Sequence, residues 1–385
     1  MNLVNIINKS YLCIVNHCIN TCIVVNIKKI KNKLILLYVV LLPCSNVFPQ
    51  EFLWKAGLYN FFDNAEFDYS NVQIPQTMAG VHFAPEAGLE WNANHRFFVG
   101  LDAMHEYGSN KTIDYFNPIA YYEFAGKHFR FYGGSVPRKL MLDKYPRMFF
   151  QDSICNYRPV INGIFWEYYS GGSFMNIWMD WVSRQTYSRR EAFFMGWSGR
   201  YARNIFYGQH FAYILHFAGL MEPEVPEGLH DNGLILYSLG IDLSSKTGFE
   251  KLEANAGISF GIERDRNIGE WHYPRGFFSE MKIEYKGLEL FNTYYNGQSQ
   301  QVFRSDHGTD LYWGDPFYRT RSYDRADLSI LFYKSEVVNL KFTWSLHLTE
   351  QTMYHQQLFC ATFELDNFKK KGEKKYRYIW DNWFN

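Results

Sequence analysis

The most informative absence in this 385-residue chain is that of a long apolar run. After residue 50, no apolar stretch approaches the roughly 20 residues that a membrane-spanning helix requires. Proline is scarce, with 12 residues, and no run is rich in serine and glycine, so the composition argues against disordered linkers. Neither charge sign is in excess, because 39 basic side chains stand against 39 acidic ones. The chain is therefore no polycation, and we expect no nucleic-acid partner.

Cysteine is also poorly represented in most of the chain. Four of the six cysteines precede Pro49, which leaves only Cys155 and Cys360 beyond it. Two cysteines that lie so far apart in sequence make neither a disulfide framework nor the ligand spacing of a metal site. We therefore expect no metal and no cofactor.

The N-terminal 50 residues have the pattern of an export signal. The segment "KKIKNKLILLYVVLLPCSNVFPQ" (28–50) begins with lysines and continues into an apolar run at 34–42, which is too short to cross a bilayer as a helix. The pattern predicts a cleaved signal peptide at 28–50 and an upstream extension at 1–27. The alternative is a lipoprotein modified at Cys44, which Pro43 disfavours because a small residue is expected at that place.

Aromatic residues are abundant, and they occur in alternating stretches. The chain contains 34 Phe, 29 Tyr and 11 Trp, and membrane barrels need such residues as girdles at both interfaces. In "LKFTWSLHLT" (340–349) every second residue is apolar and the residues between them are polar. This period-two alternation predicts a strand with two different faces. The pattern recurs at 81–91, 252–263, 277–286 and 325–332.

The spacing of these strands gives a second indication of a barrel. Short turns alternate with longer connections, of which 136–159 and 297–321 are the longest. Outer-membrane barrels show this asymmetry because their periplasmic turns are brief and their outer loops long. We predict an all-β chain with one antiparallel transmembrane β-barrel at 51–368. It has about sixteen strands, with 14 to 18 left open, and an even count places both chain ends on the periplasmic side.

This layout resembles that of the porin-like outer-membrane proteins of Bacteroidetes-type bacteria. The resemblance covers nearly all of 51–368, and it is one of pattern, because no motif identifies a particular member. It implies a Gram-negative outer-membrane location, contacts with outer-membrane lipid and lipopolysaccharide, and folding by the barrel-assembly machinery, with a homo-oligomer left open. The segment 369–385 departs from the pattern. It is either a basic periplasmic tail after Phe368 or the true last strand, ending at Phe384.

The loop at 136–159 is the candidate constriction of such a barrel. In the general porins, which the layout resembles, a long loop at this place folds into the lumen, and charged rings there select solutes by sign. The charged residues of the loop are Arg138, Lys139, Asp143, Lys144, Arg147, Asp152 and Arg158. Further lumen-lining candidates on the strands are Glu280, Lys282, Arg325, Asp327, Lys341 and His347.

These residues predict a passive or weakly selective channel for small polar or anionic solutes. For the loop, the alternative is an outer segment that faces water or binds lipopolysaccharide phosphates. For the strand residues, the alternative is a set of salt bridges along the barrel wall.

Two aromatic segments, at 270–278 and 310–324, support a second function, that of a surface glycan-binding barrel with a plugged lumen. Aromatic faces stack on sugars, and neighbouring carboxylates accept hydrogen bonds from hydroxyl groups. The candidate glycan contacts are Trp271, Tyr273, Tyr312, Trp313 and Tyr318. The alternative is an aromatic girdle at the lipid headgroups.

The third hypothesis is that the protein is an enzyme. "SDHGTD" places Ser305, Asp306, His307 and Asp310 in one predicted outer loop, and "LHDNG" places His230 and Asp231 in another. Neighbours in sequence do not make a catalytic triad, and no G-x-S-x-G, HExxH or phosphate-loop motif is present. We therefore predict that the protein is not an enzyme and assign no catalytic residue. A close contact between a histidine, a carboxylate and a nucleophile would reverse this prediction.

Overall fold

The computed structural model describes residues 50–141, 145–223, 228–369 and 376–381, together with an antiparallel pair of short strands, Tyr11–Ile14 and Ile23–Asn26. The predicted upstream extension is described only in those two strands. Apart from Gln50, the predicted signal peptide lies outside the described residues.

The alternating segments form sixteen antiparallel strands. They are β1 (Gln50–Glu66), β2 (Gln76–Trp91), β3 (His95–Glu106), β4 (Tyr115–Ala125), β5 (Phe129–Pro137), β6 (Val160–Ser170), β7 (Ser173–Ser183), β8 (Ala192–Arg203), β9 (Phe206–Phe217), β10 (His230–Asp242), β11 (Lys251–Asp265), β12 (Arg275–Tyr285), β13 (Leu288–Gly297), β14 (Ser322–Lys334), β15 (Val338–Thr349) and β16 (Met353–Asp366). Each strand pairs with its neighbours in sequence.

Pairing of the last strand with the first closes the barrel. The β16–β1 register runs from His355 opposite Glu66 to Asp366 opposite Lys55. Closure leaves no strand edge exposed, so every strand finds two partners, as a sheet in lipid requires. The predicted sixteen-stranded barrel is confirmed.

The two faces of the strands meet different surroundings. On β15, Trp344 and Leu348 are 41% and 40% exposed on the outer wall, whereas Ser345 and His347 are buried on the inner face. On β10, Leu239 is 76% exposed, and the wall carries many such apolar side chains. Apolar residues that point outward all around a closed sheet belong against lipid, and the polar faces belong inside.

Short turns lie at one end of the barrel and longer loops at the other. The turns include 92–94, 126–128, 171–172 and 286–287, while the two longest loops are 138–159 and 298–321. The start of β1 and the end of β16 both lie at the end of the barrel that carries the short turns. The predicted alternation of short and long connections is present.

In the described part of the barrel unit, both α-helices lie in the two longest loops. These are α1 (Ile154–Tyr157) and α2 (Arg304–Leu311), with 3-10 helices at Arg138–Leu140 and Pro316–Arg319 and a third in a turn at Ser244–Lys246. Neither α-helix has the length and apolar character needed to cross a bilayer.

These two loops fold into the lumen, and we call them the inward loops. Phe149 and Phe150 of loop 138–159 and Phe317 of loop 298–321 are buried with Trp178 and Phe194 of the wall. The loops also bond to one another: the Gln151 amide donates to the Trp313 carbonyl at 2.8 Å, and the Asp315 amide donates to the Arg147 carbonyl at 2.9 Å. The barrel interior is therefore filled at this level by a packed core.

The described C-terminal residues, 376–381, form no strand. The Ile379 amide donates to the Lys286 carbonyl at 2.9 Å, and the Tyr376 hydroxyl accepts from the Gly287 amide at 3.2 Å. The segment thus packs on the turn between β12 and β13. The last strand ends at Asp366, short of Phe368.

The outward position of Trp344 makes a testable prediction. Trp344→Arg should lower the free energy of unfolding by about 2–4 kcal/mol, because it places a guanidinium near the bilayer midplane. Trp344→Leu is the matched control, since it removes the ring and leaves an apolar side chain. Urea unfolding of the barrel in lipid vesicles measures both, and equal losses would mean that this face does not meet hydrocarbon.

Candidate functional site

Two arginines and three carboxylates bind the inward loops to the wall, and we call this group the arginine network. Arg147 lies 2.9 Å from Asp152 in the same loop and 2.6 Å from Asp327 on β14. Arg325 on β14 lies 2.7 Å from Asp152, 2.8 Å from Asp327 and 3.6 Å from Asp315 of the second loop. Both loops are therefore held by one strand.

The arginines of the network act on the pKa values of the two loop carboxylates, Asp152 and Asp315. Burial alone would raise the pKa of Asp152, but Arg147 and Arg325 hold that pKa well below its usual range. Burial raises the pKa of Asp315, and Arg325 opposes this effect. Asp152 is thus ionised at every physiological pH.

The other basic residues of loop 138–159 are also engaged. Arg138 is buried and donates to Asp180 on β7 at 2.8 Å, and exposed Lys139 reaches Glu364 on β16 at 2.6 Å. Arg158 lies over the ring of Trp313, with 4.4 Å from its guanidinium carbon to the centroid. The loop contains five basic and two acidic residues, and three of the five basic ones, Arg138, Lys139 and Arg147, pair with carboxylates of the wall. Asp143 and Lys144 lie outside the described residues.

The strand residues predicted to line the lumen lie on the inner face. Lys282 and Lys341 both contact Glu289, at 3.0 and 2.5 Å, and Glu280 accepts from Asn255 at 3.2 Å. The two lysine contacts are salt bridges along the barrel wall, as the alternative interpretation predicted. Their part in a constriction stays a prediction.

His347 lies on the inner face as predicted, and it is buried there in a hydrogen-bonded chain. Its Nδ1 lies 2.8 Å from the Tyr323 hydroxyl and its Nε2 lies 3.0 Å from Gln356, which donates to Asp63 at 2.7 Å. The Tyr323 hydroxyl also donates to Asp315 of the second loop at 3.2 Å. The inward loops cover this part of the wall, which a reading of strand periodicity could not foresee.

Cavities remain on both sides of the inward loops. A cavity of about 1040 Å³ on the turn side is lined by Gly171, Ser244 and Arg147. Two cavities of about 690 and 520 Å³ on the loop side share Thr309 of α2. Gln151 lines all three.

Three of the five predicted glycan contacts are buried. Tyr312, Trp313 and Tyr318 belong to the core of the inward loops, and Trp313 packs on Phe194 with ring centroids 4.6 Å apart. They offer no face to a sugar, because the segment at 310–324 turns into the barrel rather than standing above it. This corrects the prediction of an aromatic shelf at that segment.

The other two, Trp271 and Tyr273, are exposed and belong to a cluster on the outer wall that we call the outer fringe. Their rings stack 6.0 Å apart, and the guanidinium of Arg264 lies 4.2 Å from the Trp271 centroid. The remaining members are Phe260, Arg266 and Arg275. The apolar outer surface of the barrel stops at the outer fringe, so the fringe marks the level of the lipid headgroups.

Inside the wall at the same level, three side chains form what we call the rim cluster. His230 begins β10, Asp265 ends β11 and His307 comes from α2. The two imidazole rings meet with centroids 4.1 Å apart, and His230 Nε2 lies 3.9 Å from an Asp265 oxygen. One nitrogen or oxygen atom from each residue lies within 4.8 Å of the others. The fold thus brings the "LHDNG" and "SDHGTD" segments into contact through His230 and His307.

Aromatic rings surround His230, and burial favours the neutral form of His307. His230 is 4% exposed, and the rings of Phe217 and Phe303 lie 5.8 and 6.1 Å from it. Burial, with Arg190 nearby, lowers the pKa of His307 below the ordinary histidine value, against the opposite effect of nearby aspartates. A neutral imidazole accepts a proton or binds a metal ion, so the cluster is suited to either chemistry.

Local contacts of loop 298–321 place His307. The Tyr312 hydroxyl donates to Glu263 on β11, and the same carboxylate accepts from the Val302 amide at 3.1 Å. These bonds fix both ends of α2. The backbone of α2 breaks directly after His307, at Gly308 with φ +52° and ψ −128°, a conformation that a residue with a Cβ rarely adopts.

Residues 50–368, which include all sixteen strands but not the C-terminal segment, match a family model described as lipid A 3′-O-deacylase-type. The chain belongs to this family. No curated protein sequence matches it. Because the family is described by a deacylase activity, the prediction that the protein is not an enzyme is wrong. The sequence reading dismissed His230 and His307 as loop residues of separate segments, whereas the fold brings them into contact.

Solved structures share the barrel fold of this deacylase-type family member. The loop-deleted outer-membrane protein OmpT of Vibrio cholerae aligns with a TM-score of 0.51 and 7% identity over 82% of this chain and 99% of that one. A BenF-like porin of Pseudomonas fluorescens gives a TM-score of 0.47 and 11% identity, with 82% and 99% covered. The porin-like fold is confirmed, while the Bacteroidetes type stays a prediction.

The arginine network makes a prediction about the inward loops. Arg325→Met should lower the free energy of unfolding by about 3–5 kcal/mol, because it leaves the carboxylates of Asp152 and Asp327 buried without their partner. Lys139→Met is the control, since its pair with Glu364 is 54% and 37% exposed and contributes at most about 1 kcal/mol.

Urea unfolding gives the stability, and limited proteolysis of loop 138–159 reports whether the loop leaves the lumen. Similar values for the two variants would show that the network does not hold the loops.

Proposed function

We propose that this protein is an outer-membrane hydrolase that removes an ester-linked acyl chain from a lipid A-type glycolipid, with the rim cluster as its active site. The observation that carries the proposal is the contact between His230 and His307 beside Asp265. Family membership supplies the reaction class, since the family is described as lipid A 3′-O-deacylase-type.

The height of the rim cluster in the wall supports this assignment. On the outer face of β11, exposed Ile258 lies in the apolar belt, and the same column of outward residues ends at Arg264. Asp265, the next residue, points inward and belongs to the cluster. The acyl esters of outer-leaflet lipids lie where the headgroups meet the hydrocarbon, which is the level that the outer fringe marks.

The cluster has the groups that ester hydrolysis needs. A neutral imidazole removes a proton from water as the water oxygen adds to the ester carbonyl carbon. The bond from that carbon to the sugar oxygen then breaks, and the sugar oxygen takes the proton from the imidazolium. The products are a fatty acid and a free sugar hydroxyl. Asp265 stabilises the imidazolium, and Arg190, whose charge acts on both histidines, is the cation available to stabilise the oxyanion.

The outer fringe supports the choice of a phosphorylated glycolipid. Arg264, Arg266 and Arg275 present guanidinium groups at the headgroup level. Two carboxylates lie beside them in the fold or in the sequence: Asp231, which both Arg264 and Arg266 contact, and exposed Glu270, next to Trp271. Guanidinium groups bind phosphate oxygens in a bidentate manner. A glycolipid whose phosphates bind the arginines of the outer fringe has its sugar beside the rim cluster.

The proposal predicts the effect of two substitutions. His307→Gln and Asp265→Asn should each lower the rate of fatty-acid release about 100-fold or more, because each removes a proton-transfer group or its stabilising charge. Mass spectrometry of purified lipid A incubated with the protein in detergent measures the release. His128→Gln, in a turn at the opposite end of the barrel, is the control. Wild-type rates in a correctly folded His307→Gln variant would contradict the assignment.

A second candidate function is the solute channel predicted from the sequence. The observation that favours it is that Gln151 lines cavities on both sides of the inward loops. A channel for small polar or anionic solutes would then pass beside loop 138–159.

Single-channel recording in a planar bilayer tests this candidate. A channel predicts discrete current steps whose anion preference falls in Arg200→Gln, which removes a cation from the wall of the turn-side cavity. A barrel that inserts and passes no current would rule the channel out and leave the hydrolase.

A further inference from the structure

We propose that the loop-side cavity of about 520 Å³ is a binding site for a phosphate group, and we call it the donor cavity. It lies between loop 138–159, loop 298–321 and the inner faces of β4, β6 and β7. Its lining includes Asn117, Arg138, Arg158, Asp180, Thr309 and Trp313. None of the lining residues belongs to the rim cluster, so this site does not rest on the proposed function.

Three buried hydrogen-bond donors of the donor cavity have no partner among the described residues. They are Nη1 of Arg138, Nε1 of Trp313 and Nδ2 of Asn117. The Arg138 and Trp313 side chains belong to residues that are only 2% and 3% exposed. A buried donor without an acceptor is unfavourable, because it has lost its hydrogen bond to water. Guanidinium and indole groups donate and cannot accept, so a ligand that satisfies them must supply acceptor oxygens.

Arg158 brings a positive charge to the same place. Its guanidinium carbon lies 4.4 Å from the centroid of the Trp313 ring, and that of Arg138 lies 5.1 Å from the same centroid. Among the described lining residues, Asp180 is the one carboxylate. Its oxygens accept from Arg138 Nη2 at 2.8 Å and from the Asn162 amide at 3.1 Å. Arg158 forms no ion pair with it, so its guanidinium is available to a ligand.

The charges around Arg158 favour an anion. Burial and the charge of Arg138 lower the pKa of Arg158, because two like charges are held close together away from water. Beyond the lining, exposed Asp310 attracts this guanidinium and exposed Arg189 repels it. Two guanidinium groups against one carboxylate leave the lining positive. A phosphate group has a negative charge and three strong acceptor oxygens, and guanidinium groups bind such oxygens in a bidentate manner.

The space beside the donor cavity suits a polar molecule that carries the phosphate. The cavity of about 690 Å³ adjoins it, and both are lined by Tyr115, Gln151, Ser153, Tyr157 and Thr309. Hydroxyl and amide groups of this kind form hydrogen bonds with neutral polar groups such as sugar hydroxyls. The ligand is therefore a phosphate on a sugar, which comes either from a soluble sugar phosphate or from the headgroup of a glycolipid.

The test is a calorimetric titration of the full chain with inorganic phosphate, in an uncharged detergent at low salt. Every sample carries Arg266→Gln and Arg275→Gln, so that phosphate bound by the outer fringe does not mask the signal. Arg158→Met should weaken binding about tenfold or more, and so should Trp313→Phe, which keeps an aromatic ring and removes one donor. Arg189→Met is the matched control, because it removes a nearby exposed charge that is not part of the lining. It should change the affinity by less than about twofold, since exposed charges are screened.

Competition experiments then identify the source of the phosphate. Glucose 6-phosphate that displaces inorganic phosphate assigns the site to soluble sugar phosphates, and glucose is the neutral control. Displacement by purified lipid A but not by glucose 6-phosphate assigns the site to a glycolipid headgroup. Either result supports the donor cavity, whatever the rate of fatty-acid release. The absence of phosphate binding overturns the proposal. Binding that survives both Arg158→Met and Trp313→Phe, or that Arg189→Met weakens equally, also overturns it.

Discussion

The arginine network is the interaction on which the rest of the interior depends. Arg325 contacts carboxylates of both inward loops, and Arg147 returns from the first loop to Asp327 on the same strand. Each charge is stable in the barrel only because its partners are present, since an unpaired buried ion costs several kcal/mol. The network therefore couples the position of loop 138–159 to that of loop 298–321. Because α2 belongs to the second loop, the contact between His307 and His230 at the rim depends on the same set of ion pairs.

The wall supplies the second constraint. Strands in lipid must satisfy every backbone group by pairing, so the chain closes on itself and alternates apolar and polar residues. At the end of β11 this alternation sends Arg264 outward and Asp265 inward. A residue that meets headgroups and a residue of the rim cluster are thus neighbours in sequence. The alternation of the strand, rather than any motif, therefore places the outer fringe and the rim cluster at the same level of the membrane, one on each side of the wall.

Much of the fold was predictable from the sequence, because period-two alternation and the parity of short and long connections are local signals. They predicted about sixteen strands, each with an apolar and a polar face. The site was not predictable in the same way. His230 and His307 are far apart in the chain, and their contact requires a loop that folds into the barrel. The burial of Tyr312, Trp313 and Tyr318 has the same cause, since a loop reads as exposed until its packing is known. The ion pairs of loop 138–159 could not be predicted from the loop alone, because partners such as Asp180 and Asp327 lie on strands.

A barrel of sixteen strands encloses more space than a site at the rim requires, and the inward loops account for the difference. They fill the lumen with aromatic residues, which stabilises the barrel by burying apolar surface, and they carry α2 to the wall. A wide barrel therefore does not imply a pore: the same strand count serves a channel when the loops leave a passage and a scaffold when they do not. In this chain the loop that obstructs the lumen is also the loop that completes the rim cluster. Widening the passage by releasing loop 298–321 would remove His307 from the site, so that loop cannot both leave the lumen and complete the rim cluster.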